Sequence, residues 1–234
     1  MQRKDTLTRS EVLARLGGFT SLLTDEEREE CLKQLRVEHY PKKSTIYEEG
    51  QSPEHLFCLL RGKVKIGKVG IGDREQIFRV LKPVELFGYR AYFSREDYVT
   101  TATTFEPCVV GSLPMSLVTQ WMETNIRLNR FFVRLLATDL GWADRRTVSL
   151  TQKHIRGRLA EALLFLRAKY GLEEDDATLS IYLSREDLAS LSNMTTSNAI
   201  RTLSAFATER VITTDGRKIK ILDEDALLRI STMG

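Results

Sequence analysis

The hydrophobic period of this chain changes twice, and that rules out a fold of one class. From His39 to Leu113 the apolar residues fall in short β-favouring runs parted by turn residues: STIYE before Glu49-Gly50, HLFCLL before Arg61-Gly62, KVKIGKV before Ile71-Gly72-Asp73, then EQIFRVL. Phe87-Gly88 and the run TTATTFEPCVVGSL follow, with Thr100, Ala102 and Thr104 alternating against Thr101, Thr103 and Phe105. Such a density of short runs predicts a compact β-barrel or sandwich. Pro114 closes the last run, and from Met115 the helical period holds for about 35 residues, with Asn125 as a second start.

Helices are expected on the other side of the barrel too. Over residues 8–36, Val12, Leu13 and Leu16 precede a Gly17-Gly18 break, and Thr24 with Glu27 opens a helix carrying Cys31, Leu32 and Leu35. The long helix after Asn125 bears one stripe at three- and four-residue spacing, Leu128, Phe131, Leu135, Thr138 and Trp142, widened by Phe132, Leu136 and Leu140. That stripe can seal a dimer or lie within the chain's own domain; the dimer is the expectation. Gly141 marks a close backbone approach, a bend or a tolerated surface glycine.

Beyond Thr151 a further helix carries Ile155, Leu159, Leu163, Leu164 and Leu166 and ends near Tyr170-Gly171. TLSIYL then reads as a short strand. Ser184 to Phe206 spells a helix-turn-helix: Ser184 caps a first helix with Asp187 as its capping-box partner, and Leu188, Ala189 and Leu191 form its buried face. Ser192-Asn193-Met194 is the turn, Met194 packing in it. Thr195 caps a second helix whose buried side is Ala199, Leu203 and Phe206, with Ile200 and Ala207 beside them. Thr196, Ser197 and Arg201 point elsewhere, to a face that a DNA groove can meet. VITT, Asp215-Gly216 and RKIKIL add a hairpin, so the motif is winged.

The 234 residues, 42% of them hydrophobic, suffice for one large or two modest domains. No apolar run reaches membrane-spanning length and the N-terminus lacks the apolar core of a signal peptide, so no membrane partner and a cytoplasmic location are expected. Cys31, Cys58 and Cys108 read as buried free thiols, and His39, His55 and His154 form no ligand spacing. The formal charge of +3 belongs to the first part of the chain, because acids and bases are equal in number over residues 151–234. They are segregated. Arg145, Arg146, Lys153, Arg156 and Arg158 precede the motif and Arg217, Lys218 and Lys220 follow it, either to meet phosphates or as solvated charges, while Glu173 to Asp176 form an acidic loop expected to face away. No paired carboxylate, nucleophile motif or metal spacing points to an enzyme.

The order of these parts resembles the Crp/Fnr family of bacterial transcription regulators. In the barrel the resemblance rests on IYEEGQSPEHLFCLLRGKVKI, with Gly50 and Gly62 at the family's turn positions, and on LKPVELFGYRAYF, which is similar to its phosphate-loop segment; beyond the barrel it rests on the helix-turn-helix. It implies an α+β fold: a β jelly-roll (double-stranded β-helix) sensor barrel with flanking helices over residues 1–124, a dimerisation helix over 125–150 and a winged helix-turn-helix over 151–234. It further implies a homodimer on double-stranded DNA, a signal relayed from the barrel through the dimer helix, and RNA polymerase and a small-molecule effector as further partners. The other function open to such a chain is a ligand-binding regulator of a protein partner, which salt-dependent DNA affinity would separate from the first.

This chain departs from the family at both sites. Nucleotide-binding members have a glycine-glutamate pair in the loop and an arginine-serine pair after it, the acid receiving a ribose hydroxyl and the guanidinium the cyclic phosphate. Here the loop reads Phe87-Gly88-Tyr89 and the later pair is Tyr98-Val99. Arg90 or Arg95 can substitute or lie on the surface. Cyclic AMP is therefore not expected, Tyr89 and Tyr98 either lining a pocket for an apolar or aromatic ligand or filling it. The cysteine cluster of iron-sulfur relatives is absent as well, and haem on a single His stays open. In the recognition helix Thr196 and Ser197 stand where many relatives have arginine and glutamate, while Arg201 keeps the later arginine position. The candidate DNA contacts are Thr195, Thr196, Ser197, Asn198, Arg201, Arg217 and Lys218, Thr195 and Asn198 serving equally as caps.

Overall fold

Among the described residues the first half forms eight strands. They are β1 (Arg36–Tyr40), β2 (Thr45–Tyr47), β3 (His55–Arg61), β4 (Val64–Val69), β5 (Glu75–Leu81), β6 (Leu86–Phe87), β7 (Thr101–Thr104) and β8 (Cys108–Pro114). The computed structural model describes residues 11–12 and 15–233, so Leu13 and the start of the 8–36 segment lie outside the described residues. Two four-stranded sheets, ordered β1-β8-β3-β6 and β2-β7-β4-β5, make the jelly-roll barrel.

Strand β3 shows why HLFCLL has no polar gap. Successive side chains of a strand point to opposite faces, and here both faces are covered. Phe57 and Leu59 join Tyr47, Val64, Ile66, Phe87, Tyr98 and Val110 inside the barrel. Leu56, Cys58 and Leu60 join Leu113, Val118, Trp121, Leu128 and Phe132 in a second core outside it. Gly62 makes the turn into β4 at φ +94°, where a Cβ would lie 2.6 Å from the Cys108 Sγ and 2.7 Å from the Pro107 carbonyl. Cys31, Cys58 and Cys108 are free and buried, and burial pushes the Cys58 thiol up to about 12.

Helices α1 (Gly17–Thr20) and α2 (Asp25–Gln34) precede the barrel. Thr24 and Glu27 form the expected reciprocal capping box. The helical residues Glu11, Val12 and Arg15 give way to a turn at Leu16 and the short α1 opens at Gly17, so the helical run is interrupted where the Gly17-Gly18 pair predicts it. Strand β1 matches none of the expected runs, the first of which is STIYE; it forms because pairing with β8 outweighs its own exposed, polar pattern. Within the barrel α3 (Tyr89–Ser94) follows the glycine of the phosphate-loop segment, and α4 (Met115–Thr124) follows β8. Asn125 ends α4, and its side chain accepts the Arg127 and Leu128 amides that open α5 (Ile126–Gln152).

The long helix is not a separate domain. The chain divides into two units within it, one holding the described residues up to Lys68 with Arg79–Asp139, the other Val69–Phe78 with the described residues from Leu140 onward. In the first unit Leu128 and Phe132 of α5 are buried in the outer core. In the second, Trp142 of α5 lies against Phe165, ring centroids 6.0 Å apart, on α6 (Ile155–Tyr170).

The second unit continues with α7 (Arg185–Leu191), α8 (Thr196–Thr208), the hairpin of β9 (Ile212–Asp215) and β10 (Lys218–Ile221), and α9 (Glu224–Met233). Helix α6 packs against α7, α8 and α9. TLSIYL does not form a strand. It makes only isolated bridges, Leu172 to Leu179 and Thr178 to Lys220, with the Leu179 amide donating to the Ile219 carbonyl and the Ser180 amide to the Gly171 carbonyl.

Candidate nucleic-acid interface

Helix α7 begins as its sequence dictates: the Ser184 hydroxyl accepts the Asp187 amide at 3.0 Å and donates to the Asp187 carboxylate at 2.6 Å. Its last carbonyls would be orphaned by the turn. Two side chains from far along the chain supply donors, Gln76 to the Ser190 carbonyl at 2.9 Å and Arg146 to that of Leu191, the latter setting a cation against the negative end of the helix. Asn193 takes the left-handed conformation at φ 49° and Met194 is buried in the turn.

Thr195 then caps α8 by accepting the Asn198 amide. Ala199, Leu203 and Phe206 are buried, which turns Ser197, Arg201, Ser204 and Thr208 outward as one exposed stripe. Thr195 and Thr196 are exposed beside it. Arg201 is not loose: its guanidinium donates to the Asn198 side-chain carbonyl at 2.6 Å, so Asn198 both ends the cap and aims Arg201. Ile200, read from sequence as part of the buried side, is 47% exposed and belongs to the outward face. The spacing of Ser204 and Thr208 from Ser197 could have added both to that face. No local signal could have found Gln76.

The wing corrects the expected charge layout. Glu173 and Asp175 do not face away but pair with Lys218 at 3.7 Å and Lys220 at 3.2 Å. The reason is local: Asp175 accepts the Ala177 and Thr178 amides, and Thr178 bridges to Lys220, drawing the acidic loop alongside β10. Lys218 also lies over the Tyr182 ring, and Arg217 is exposed at the hairpin tip. Arg185 donates to the Gly216 carbonyl at 3.0 Å, tying the hairpin turn to α7.

The loop of the barrel is built differently. Phe87 and Tyr89 are fully buried, Tyr98 is 5% exposed, and Arg90, Arg95 and Val99 lie on the surface. Gly88 joins β6 to α3 at φ +89°, where a Cβ would lie 2.8 Å from the His55 carbonyl and from the Phe57 ring. Tyr98 stacks on Tyr47 with centroids 3.8 Å apart, and Phe57 and Phe87 continue the aromatic cluster. The Tyr89 hydroxyl donates to Asp139 at 2.8 Å, and the same carboxylate oxygen pairs with Arg79 at 3.1 Å. Burial, the largest cause, pushes both phenols up.

The stripe assigned to a dimer seam is largely used up within the chain. Leu128 is fully buried, Phe131 and Leu135 are half-buried against the same core, and Trp142 meets Phe165; Thr138 is exposed. A different face of α5 is apolar and exposed: Ile126, Val133 and Leu140 at seven-residue intervals, each at least 60% exposed, with Val148 beyond.

Two domain families match this chain in the same order as its parts: the cyclic nucleotide-binding domain over residues 37–125 and the Crp-like helix-turn-helix domain over residues 157–230. This chain belongs to the Crp/Fnr family. It is similar to a CRP-like cAMP-activated global transcriptional regulator of Mycobacterium tuberculosis, 26% identical over 94% of this chain and 98% of the relative. Its fold is that of FixK2 from Bradyrhizobium japonicum, at a TM-score of 0.76, 21% identity, and coverage of 84% of this chain and 96% of that one. A Crp/Fnr regulator from Eubacterium rectale superposes at 0.74 with 16% identity, over 90% of this chain and 95% of its own. As a Crp/Fnr protein with such a helix-turn-helix, this chain is a DNA-binding transcription regulator. Among the described residues no helix is long and apolar enough to cross a membrane, and no group of His, Cys, Asp and Glu is placed to hold a metal.

Proposed function

We propose that this Crp/Fnr regulator works as a cytoplasmic homodimer that sets two α8 helices into successive major grooves of a pseudo-palindromic site, by binding rather than catalysis. The observation that carries this reading is the outward face of α8, where Arg201 is held by Asn198 amid exposed hydroxyls while the opposite face is buried. Arg201 supplies the strongest base or phosphate contact. Thr195, Thr196, Ser197 and Ser204 add weaker hydroxyl contacts, and Ile200 offers an apolar surface to a thymine methyl. Arg217 and Lys218 contact flanking phosphates, Lys218 with its charge already shared with Glu173. With few charged readers, the operator is read partly through DNA shape.

The dimer seam is the exposed row Ile126, Val133, Leu140 and Val148, whose seven- and eight-residue spacing suits helix-to-helix packing. That geometry would put the half-sites about one helical turn, roughly 34 Å, apart. RNA polymerase is the natural further partner of a DNA-bound regulator. Selection of random duplexes at fixed salt, followed by gel-shift titration, tests the assignment. Arg201→Ala should weaken specific binding by about 1–3 kcal/mol and relax preference at one position of each half-site. Unchanged affinity and preference would remove Arg201 from the reading set.

A further inference from the structure

The family's nucleotide site needs a cation for the phosphate and an acid for the ribose, and this chain has Tyr98 and Tyr89 at the positions that the resemblance gives to those two groups. The buried cation nearest the loop, Arg79 of β5, is committed to Asp139, their side chains only 17% and 16% exposed. Withdrawing it to meet a phosphate would leave the Asp139 carboxylate buried beside a second anion. Arg90 and Arg95 face solvent. Space is lacking as well as charge: the Tyr98 ring lies flat on Tyr47, and its hydroxyl, buried without a partner, sits 3.2 Å from where a Cβ on Gly88 would stand. A cyclic nucleotide does not fit these residues.

The same residues do something else. One oxygen of Asp139, on the long helix, receives the Tyr89 hydroxyl from the first residue of α3 and the Arg79 guanidinium from β5. Two parts of the barrel wall are thereby fixed to α5 by charge-assisted hydrogen bonds, at the height where Phe132 of the same helix packs on the Tyr89 ring at 5.8 Å. We infer that the barrel is closed to cyclic nucleotides and that the Arg79–Asp139–Tyr89 latch holds the long helix in place of a bound ligand, so that specific DNA binding proceeds without one. Arg79, Asp139 and Tyr89 are positioning residues. The inference rests on the DNA-binding role of the chain.

The full-length protein tests this in two ways. In calorimetry with cyclic AMP or cyclic GMP, no saturable heat is expected, and the affinity for the selected duplex should stay within about twofold when either nucleotide is added. Tyr89→Phe removes a single hydroxyl and should weaken binding to that duplex about tenfold while leaving binding to a random duplex unchanged. A merely destabilised protein would lose both together. Asp139→Asn should act in the same direction and more strongly; circular dichroism separates its effect from unfolding, with Tyr89→Phe as the milder variant. Saturable nucleotide binding, or DNA binding that depends on nucleotide, overturns the closed barrel while leaving the regulator intact. Wild-type specificity in both folded variants overturns the latch. A protein that binds no duplex under any condition sinks the DNA-binding role instead, and calorimetry then decides the closed barrel by itself.

Discussion

Inside the barrel and on the outer face of α8, the same chain treats polar side chains in opposite ways. Around the loop, Tyr89, Arg79 and Asp139 satisfy one another and aromatic rings fill the remaining space. On α8, threonine and serine hydroxyls stand in solvent and Arg201 is held in place by one neighbour without being buried. A surface that reads an outside partner must leave hydrogen-bonding capacity unspent, whereas a side chain already paired in low dielectric gives it up only at the cost of desolvation. Fold alone does not separate the two cases. The jelly roll is retained around an interior packed with aromatic rings, while the helix-turn-helix keeps both its architecture and its open face.

The sharpest way to break this contrast is to remove one member of the barrel's internal network. Asp139→Ala leaves the Arg79 guanidinium buried without its counter-charge and should cost about 3–5 kcal/mol of stability, measured by urea unfolding. Replacing all three members, Arg79→Met, Asp139→Leu and Tyr89→Phe, should recover most of that loss, since no member of the network is then left as a buried polar group without its partner. If Asp139→Ala melts like the parent, the pair is solvated and the contrast with α8 is lost. Gly88→Ala comes next. It forces a side chain into a left-handed conformation and against the His55 carbonyl, and should cost about 2 kcal/mol in the same assay.

How much of this could be read in the sequence follows the same division. Strands β3 and β8 were legible because burial on both faces leaves an unbroken apolar run, and the caps at Thr24, Ser184 and Thr195 because capping is settled within three residues. Strand β1 and α9 were missed. The first is polar and exists through its pairing with β8, and the second packs on α6, some sixty residues earlier in the chain. At the sites, the exposed readers of α8 follow from helical phase. The latch does not, because Arg79, Tyr89 and Asp139 meet only when strand, loop and long helix come together, with Asp139 fifty residues from Tyr89. Part of the expected dimer stripe is covered for a related reason: a row of apolar residues on a helix says that something covers it, and for Leu128 and Phe132 the cover is the chain's own core.

On α8 the expected effects are smaller, because exposed groups have water to fall back on. Thr195→Ala deletes the cap on the Asn198 amide and should destabilise the second unit by about 1 kcal/mol, seen as an earlier thermal transition. Ser204→Ala should leave stability untouched and alter only DNA preference. A Ser204→Ala protein that melts early would mean that this part of the helix face is packed rather than open.

The smallest effect lies at the acidic loop, where exposure and hydrogen bonding coincide. Asp175 is exposed, yet the Thr178 amide, with the Thr178 hydroxyl, the Ala177 amide and Lys220 assisting, holds its carboxyl well below the usual carboxylate range. A carboxylate depressed by folding adds stability that is complete above the unfolded value of roughly 4 and is lost as pH falls through the folded value. The parent protein should therefore lose more thermal stability between neutral and strongly acidic pH than Asp175→Asn, which keeps an acceptor oxygen but carries no charge to protonate. Parallel melting curves across that range would show that the loop is not tied to β10 in solution. Lys218 and Lys220 would then stand free for phosphate contact, and the wing would resemble the open face of α8 more closely than the self-satisfied interior of the barrel.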